Sequence, residues 1–117
     1  MPDLSERFTK SDRILKRDRF KSVYEQGRKY QSKYFTAFVA ANPGSGPRIG
    51  ITATRKIGGS VERNRTRRLI REAFRRNKTL VPTGVDLVLN VKSALVDATL
   101  AELEKDFVAF LKGIGGR

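Results

Sequence analysis

The sequence predicts an α+β domain: a two-layer sandwich with elements in the order α-β-β-α-β-α and a mixed sheet. Three observations carry this. Apolar residues alternate with period two at 48–56 and 85–91, they recur at helical spacing at 61–78 and 100–111, and 117 residues suffice for one hydrophobic core. The whole chain, 1–117, therefore reads as one domain.

Residues 1–12 are polar and without periodicity, and are expected to form a flexible arm. Between 17 and 26, Phe20, Val23 and Tyr24 recur at i, i+3 and i+4 and Gly27 follows, which predicts a short helix with one apolar edge. Residues 34–41 (YFTAFVAA) predict a strand. The run Asn42-Pro43-Gly44-Ser45-Gly46-Pro47 predicts a loop, and 48–56 (RIGITATRK) a second strand. The two strands and the loop together read as a hairpin. Ser60 is the expected N-cap of a helix running to about Lys78. Val85, Leu87, Leu89 and Val91 alternate as a third strand after the Pro82-Thr83-Gly84 turn. Thr99-Leu100-Ala101-Glu102 is a capping box that opens a last helix. Its stripe is Leu100, Leu103, Phe107, Phe110 and Leu111, and Gly113 is its expected C′ residue. Two layers suffice, with three or four strands and the helices on one face.

The charge is unevenly spread. The chain holds 25 Lys+Arg against 12 Asp+Glu, for a formal net charge of +13. Residues 1–54 carry +6, residues 55–78 carry +8 and residues 79–117 carry −1. More than half of the excess thus sits in 24 residues, which points to a directed polyanion-binding surface. On a helical wheel, Leu69, Ala73, Thr66, Ile70 and Phe74 fall within an arc of about 140°. Asn64, Arg67, Arg68, Arg71 and Arg75 fill the opposite arc, and Arg63 lies at the border. Seven arginines occupy 61–76, where only Glu62 and Glu72 oppose them. The planar guanidinium grips phosphate oxygens in pairs, so this face reads as a phosphate-binding one. A merely solvated helix would mix signs instead, because like charges one turn apart repel.

Composition also excludes chemistry. With no Cys and no His there is no disulfide framework, no thiolate, no imidazole base and no Cys- or His-ligated metal. A metal nuclease needs clustered carboxylates, yet 26–61 contains no Asp or Glu, and Glu62, Glu72 and Asp86 stand apart in the sequence. No secretory signal or apolar run of membrane-spanning length is present, which leads to the expectation of a cytoplasmic protein.

The stretch 50–74 resembles the signature of the bacterial ribonuclease P protein component. That pattern is a strand ending in a basic pair, a turn of small residues, then an Arg-Asn-Arg helix continuing into two basic residues and a further Arg. Here these are Arg55-Lys56, Arg63-Asn64-Arg65, Arg67-Arg68 and Arg71. Residues 13–27 resemble the family's first helix, and the likeness covers about 13–112. Arg67 stands where many members carry Lys. The resemblance implies a ribosomal S5 domain 2-like fold with a left-handed β-α-β crossover, against the usual right-handed one. It also implies partnership with a large catalytic RNA and precursor tRNA, whose 5′ leader the complex removes by Mg²⁺-dependent hydrolysis. On that likeness the RNA carries the chemistry. The protein holds the catalytic RNA through Arg63, Asn64, Arg65, Arg67, Arg68, Arg71 and Arg75, and binds the leader between its first helix and the sheet.

Strand parity adds to this. If Ile49, Ile51 and Ala53 face the core with Val85, Leu87, Leu89 and Val91, the other face carries Thr52, Thr54 and Lys56 beside Asn90 and Lys92. If the pairing of the first strand turns Phe35, Ala37 and Val39 inward, Thr36 and Phe38 join that same polar face. Hydroxyls, lysines and an aromatic ring suit single-stranded RNA. The family's leader-binding aromatics correspond to Phe20, Tyr24 and Phe38; Phe20 and Tyr24 are equally placed to dock the first helix. Among wholly different functions, a structural RNA-binding protein such as a ribosomal component shares the size and charge but does not need this groove. No organic cofactor is expected, and self-repulsion at +13 favours a monomer without RNA.

Overall fold

The computed structural model describes residues 17–44 and 46–115, so the expected arm at 1–12 lies outside the described residues. The elements are α1 (Arg17–Gln26), β1 (Arg28–Gln31), β2 (Phe35–Ala41), β3 (Arg48–Thr52), α2 (Ser60–Arg76), β4 (Val85–Val91) and α3 (Leu100–Gly115). Short 3-10 turns at Arg55–Ile57, Lys78–Leu80 and Ser93–Leu95 connect them. The four strands form one mixed sheet in the order β1-β2-β4-β3, with β2 antiparallel to β1 and β4, and β3 parallel to β4.

The expected hairpin of β2 and β3 does not form, because β4 lies between them. The reason is in β4 itself. Leu87, Val88 and Leu89 are consecutive and all fully buried, so both faces of this strand must be covered. A central place achieves that, whereas an edge place would leave Val88 in water. The chain leaving β2 instead meets the start of β4, where the Asn42 amide donates to the Gly84 carbonyl at 2.7 Å. β3, α2 and β4 then make a β-α-β unit of two adjacent parallel strands.

One face of the sheet holds the main core. Phe35, Ala37, Ile49, Leu87 and Leu89 pack on Ile70, Ala73 and Phe74 of α2 and on Leu103, Phe107 and Leu111 of α3. Full burial of a side chain such as Phe107 contributes roughly 1.5–3 kcal/mol. Phe35 meets Phe107 and Phe110 edge-on at centroid distances of 6.2 and 5.6 Å. The helical stripes read from the sequence are the buried ones, with Leu69, Leu100 and Phe110 at the margin. α1 lies on the other face, packed through Val23 on Ala40 and Val88. The helices thus cover both faces of the sheet, because the alternate residues of β2 and β4 supply a second, smaller apolar patch.

Several boundaries differ from expectation. β3 ends at Thr52, and residues 55–57 tighten into a 3-10 turn rather than continuing the strand. The N-cap of α2 is Gly59, and Ser60 is already helical. Gly58 has φ of +147°, which an L side chain rarely adopts. Gly113 lies inside α3 rather than beyond it. The capping box forms as expected, with Glu102 N donating to Thr99 Oγ1 at 3.2 Å and Thr99 N donating to Glu102 Oε1 at 3.0 Å.

Candidate RNA interface

The face of the sheet beneath α1 is organised in three cross-strand rows, set by register. At one end Ala40, Asp86 and Arg48 are partners; in the middle, Lys29, Phe38, Val88 and Gly50; at the other end, Gln31, Thr36, Asn90 and Thr52. Partner residues on neighbouring strands point to the same side. The last row is therefore a polar line across all four strands, within which Thr36 Oγ1 donates to Gln31 Oε1 at 2.9 Å.

α1 lies across these rows. Arg19 Nε reaches Asp86 Oδ2 at 2.6 Å, and Val23, fully buried, sits on Val88. The Phe20 ring lies over Gly50 so closely that a Cβ built there would stand 2.5 Å from the ring. Gly50 is thus required by the close approach of an aromatic. Tyr24 donates from its hydroxyl to Asn90 Oδ1 at 2.6 Å. That uses the single phenolic proton, so Thr52 Oγ1, 2.9 Å away, is the donor to the Tyr24 oxygen. The Tyr24 ring meets Phe38 edge-on, with centroids 4.9 Å apart and planes at 81°. Gly27 closes the helix with its amide on the Val23 carbonyl, and a Cβ there would stand 2.4 Å from that oxygen.

Of the residues expected in the groove, Phe20, Tyr24, Phe38 and Thr52 come together under and beside α1, and the three aromatics remain half-exposed. Thr54 and Lys56 are exposed on the turn that leads from β3 toward α2. Lys92 is half-buried just past β4, with its ammonium donating to the Ser32 carbonyl at 2.6 Å. Lys92 thus helps to fix the β1–β2 turn, which Asp106 holds from the other side by accepting from Ser32 Oγ at 2.6 Å. Two residues escape the sequence reading: Lys29 and Gln31. They lie on β1, whose four residues Arg-Lys-Tyr-Gln carry only one apolar side chain and so no alternation to detect. The single signal is Tyr30, which turns to the core and stacks edge-on with Phe110 at 5.6 Å.

The basic helix is on the opposite face of the sheet from α1. Its buried residues are Thr66, Ile70, Ala73 and Phe74, and the arginines project from the rest of its surface. Asn64 and Arg68 are exposed, and Arg67 Nη1 donates to Asn64 Oδ1 at 3.2 Å, one turn back. Arg71 is half-buried on the same arc, and Arg63 Nε donates to the Gly59 carbonyl at 3.4 Å. Two further expected phosphate ligands bond beyond their own turn or to an acid. Arg65 donates to the Ala98 carbonyl at 2.8 Å, tying α2 to the lead-in of α3. Arg75 Nε donates to Glu72 Oε1 at 3.0 Å, and this hydrogen bond holds the Glu72 carboxyl below its ordinary range against the opposing effect of desolvation. Arg76 pairs with Glu104 at 3.3 Å.

The carboxylates do not assemble a metal site: among the described residues, no three Asp or Glu gather to hold an ion. Asp86 is fully buried, but its oxygens accept from Arg19, from Arg48 Nε at 2.9 Å and Nη2 at 2.7 Å, and from Asn42 Nδ2 at 3.2 and 3.1 Å. Burial alone would raise its pKa; the hydrogen bonds from Arg48, Arg19 and Asn42 outweigh that and hold it below the usual carboxylate value. No described helix is long and apolar enough to cross a membrane.

The sequence profile of the Ribonuclease P family matches residues 8–115. The ribonuclease P protein component of Syntrophus aciditrophicus is 45% identical over 83 residues, covering 71% of this chain and 70% of its own. That of Clostridioides difficile is 31% identical over 106 residues, covering 90% and 93%. The solved RNase P protein from Thermotoga maritima superposes with a TM-score of 0.79 at 30% identity, covering 86% of this chain and 96% of the other. A basic helix on one face of the sheet, an aromatic and polar groove on the other, and these likenesses along most of the chain agree: the chain belongs to the ribonuclease P protein family.

Proposed function

We propose that this chain is the protein subunit of a ribonuclease P holoenzyme, which removes the 5′ leader of precursor tRNA in the cytoplasm. In this reading α2 holds the catalytic RNA through Arg63, Asn64, Arg67, Arg68 and Arg71, with Arg65 and Arg75 contributing beside their protein partners. The leader lies as a single strand in the groove between α1 and the sheet. The observation that carries the reading is the row of Gln31, Thr36, Asn90 and Thr52 next to Phe20, Tyr24 and Phe38. Rings that bases can stack on stand beside hydroxyls and amides that can meet sugar and phosphate, with Lys29 adding charge. A structural RNA-binding protein does not call for such a groove.

Among the described residues no three carboxylates gather to hold an ion, and in this reading Mg²⁺ and the hydrolytic step belong to the RNA. The protein's part is to bind, neutralise and position. Reconstitution tests this. Protein alone is expected to leave precursor tRNA intact and to lower the Mg²⁺ requirement of the catalytic RNA; cleavage by RNA-free protein would overturn the division of labour. Phe38→Ala is expected to weaken precursor binding by about tenfold, equivalent to about 1.4 kcal/mol, while leaving mature tRNA binding nearly unchanged. Equal losses for both ligands would remove the leader from the groove.

A further inference from the structure

We propose that Asp86 is the positioning residue that seats α1 on the sheet and thereby shapes the groove for a single-stranded polyribonucleotide, a role that rests on the leader reading of that groove. α1 has ten residues and one fully buried side chain, Val23. A helix that short is marginal on its own, so its place depends on tertiary contacts. Those contacts lie at its two ends and between them. Tyr24 is held by Asn90 and Thr52 at one end, Val23 rests on Val88, and Arg19 is held by Asp86 at the other end. Arg19 also donates to the Ala41 carbonyl at 3.0 Å, so its guanidinium bridges β4 and the end of β2. The same carboxylate gathers Arg48 at the start of β3 and Asn42 just after β2. One buried acid thus joins α1, β3, β4 and the β2–β3 connection. Its oxygens, fully buried, are taken up by these protein donors, so its role is to hold rather than to meet ligand.

The seat matters to the groove because the groove's aromatics ride on α1. Phe20 follows Arg19 directly, and its ring has no clearance over Gly50. Tyr24 is four residues further along the same ten-residue helix. If the Arg19 end lifts, the Phe20 ring leaves the sheet, and Tyr24 is left on a helix tethered at one end.

The sign of the effect separates positioning from bulk electrostatics. Neutralising an acid on a chain of net charge +13 should strengthen its attraction to RNA. Positioning predicts a loss. In the full chain, Asp86→Asn is expected to weaken binding of a single-stranded oligoribonucleotide of about eight nucleotides by about tenfold. Affinity for the catalytic RNA, held by α2, is expected to change by less than about twofold. Amide hydrogen exchange should show α1 losing protection while β2 and β4 keep theirs. Arg19→Gln, at a half-exposed residue, keeps the carboxylate paired with Arg48 and Asn42. It is expected to weaken the oligomer at an unchanged salt slope, whereas a slope reduced by about 0.7 would make Arg19 a phosphate ligand and overturn the assignment. Equal or tighter oligomer binding by Asp86→Asn also overturns it. If the wild-type protein does not bind the oligomer, the leader reading fails. Amide exchange then decides the seat, and unchanged α1 protection in Asp86→Asn overturns it.

Discussion

The Tyr24 hydroxyl donates to Asn90 Oδ1 at 2.6 Å, joining the last turn of α1 to the penultimate residue of the central strand. This bond connects residues 66 positions apart and fixes one end of the groove. Removing the hydroxyl by Tyr24→Phe leaves the ring on Phe38 but strands the Asn90 carbonyl and the Thr52 hydroxyl. A loss of about 1 kcal/mol is expected, read as a lower urea midpoint at unchanged slope.

Gly50 tests the close approach of Phe20. Gly50→Ala places a methyl group 2.5 Å from the ring, and Gly50→Val adds two more carbons in the same space. The valine variant is expected to cost about 1–3 kcal/mol despite its better strand propensity, because the ring must leave its seat. Thermal unfolding measures this, and a gain in stability for both variants would contradict the packing described.

The arginine face of α2 makes a prediction about salt. Arg67→Ala and Arg68→Ala should each weaken binding of the catalytic RNA and reduce the slope of log affinity against log salt by about 0.7–0.9 for each phosphate that is no longer gripped. Titration at several salt concentrations measures it. Arg65→Ala should differ by also lowering stability, since Arg65 donates to the Ala98 carbonyl.

Asp86 predicts an acid limb. Its folded pKa is below its unfolded value, so its contribution is fully present above about pH 4 and is lost as pH falls through the lowered folded value. Stability should therefore fall from about pH 4 downward. Asp86→Asn should flatten that limb, and urea unfolding at a series of pH values measures the difference.

The capping box tests the first turn of α3, next to the Ala98 carbonyl that accepts from Arg65. Thr99→Ala removes the acceptor of the Glu102 amide and one partner of the Glu102 carboxylate. A loss of about 1 kcal/mol is expected, read as a lower urea midpoint at unchanged slope.

Much of both surfaces was legible in the sequence. Side-chain direction in a strand alternates residue by residue, so Ile49 and Leu87 could be assigned to the core and Thr52 to the other face, whereas the place of Phe38 hung on a pairing that turns Phe35, Ala37 and Val39 inward. The same local geometry separated Ile70 and Phe74 from Arg67 and Arg68 on α2. β1 was not legible, because a four-residue edge strand with one apolar side chain leaves no period to detect, and so Lys29 and Gln31 were missed. Asp86 looked like an isolated acid, because its partners are 38, 44 and 67 residues away in sequence.

The sequence by itself determined the helical and strand periods, the two faces of each element, the concentration of arginine on α2 and the resemblance carried by residues 50–74. All of these follow from backbone geometry repeated over short distances, or from residue order. Only the tertiary structure decided that β4 divides β2 from β3, that α1 and α2 lie on opposite faces, and which charges are paired. Strand order depends on which strand must bury both faces. Pairing depends on which side chains that burial brings within reach: Arg65 on Ala98, Arg75 on Glu72, and Arg19 and Arg48 on Asp86.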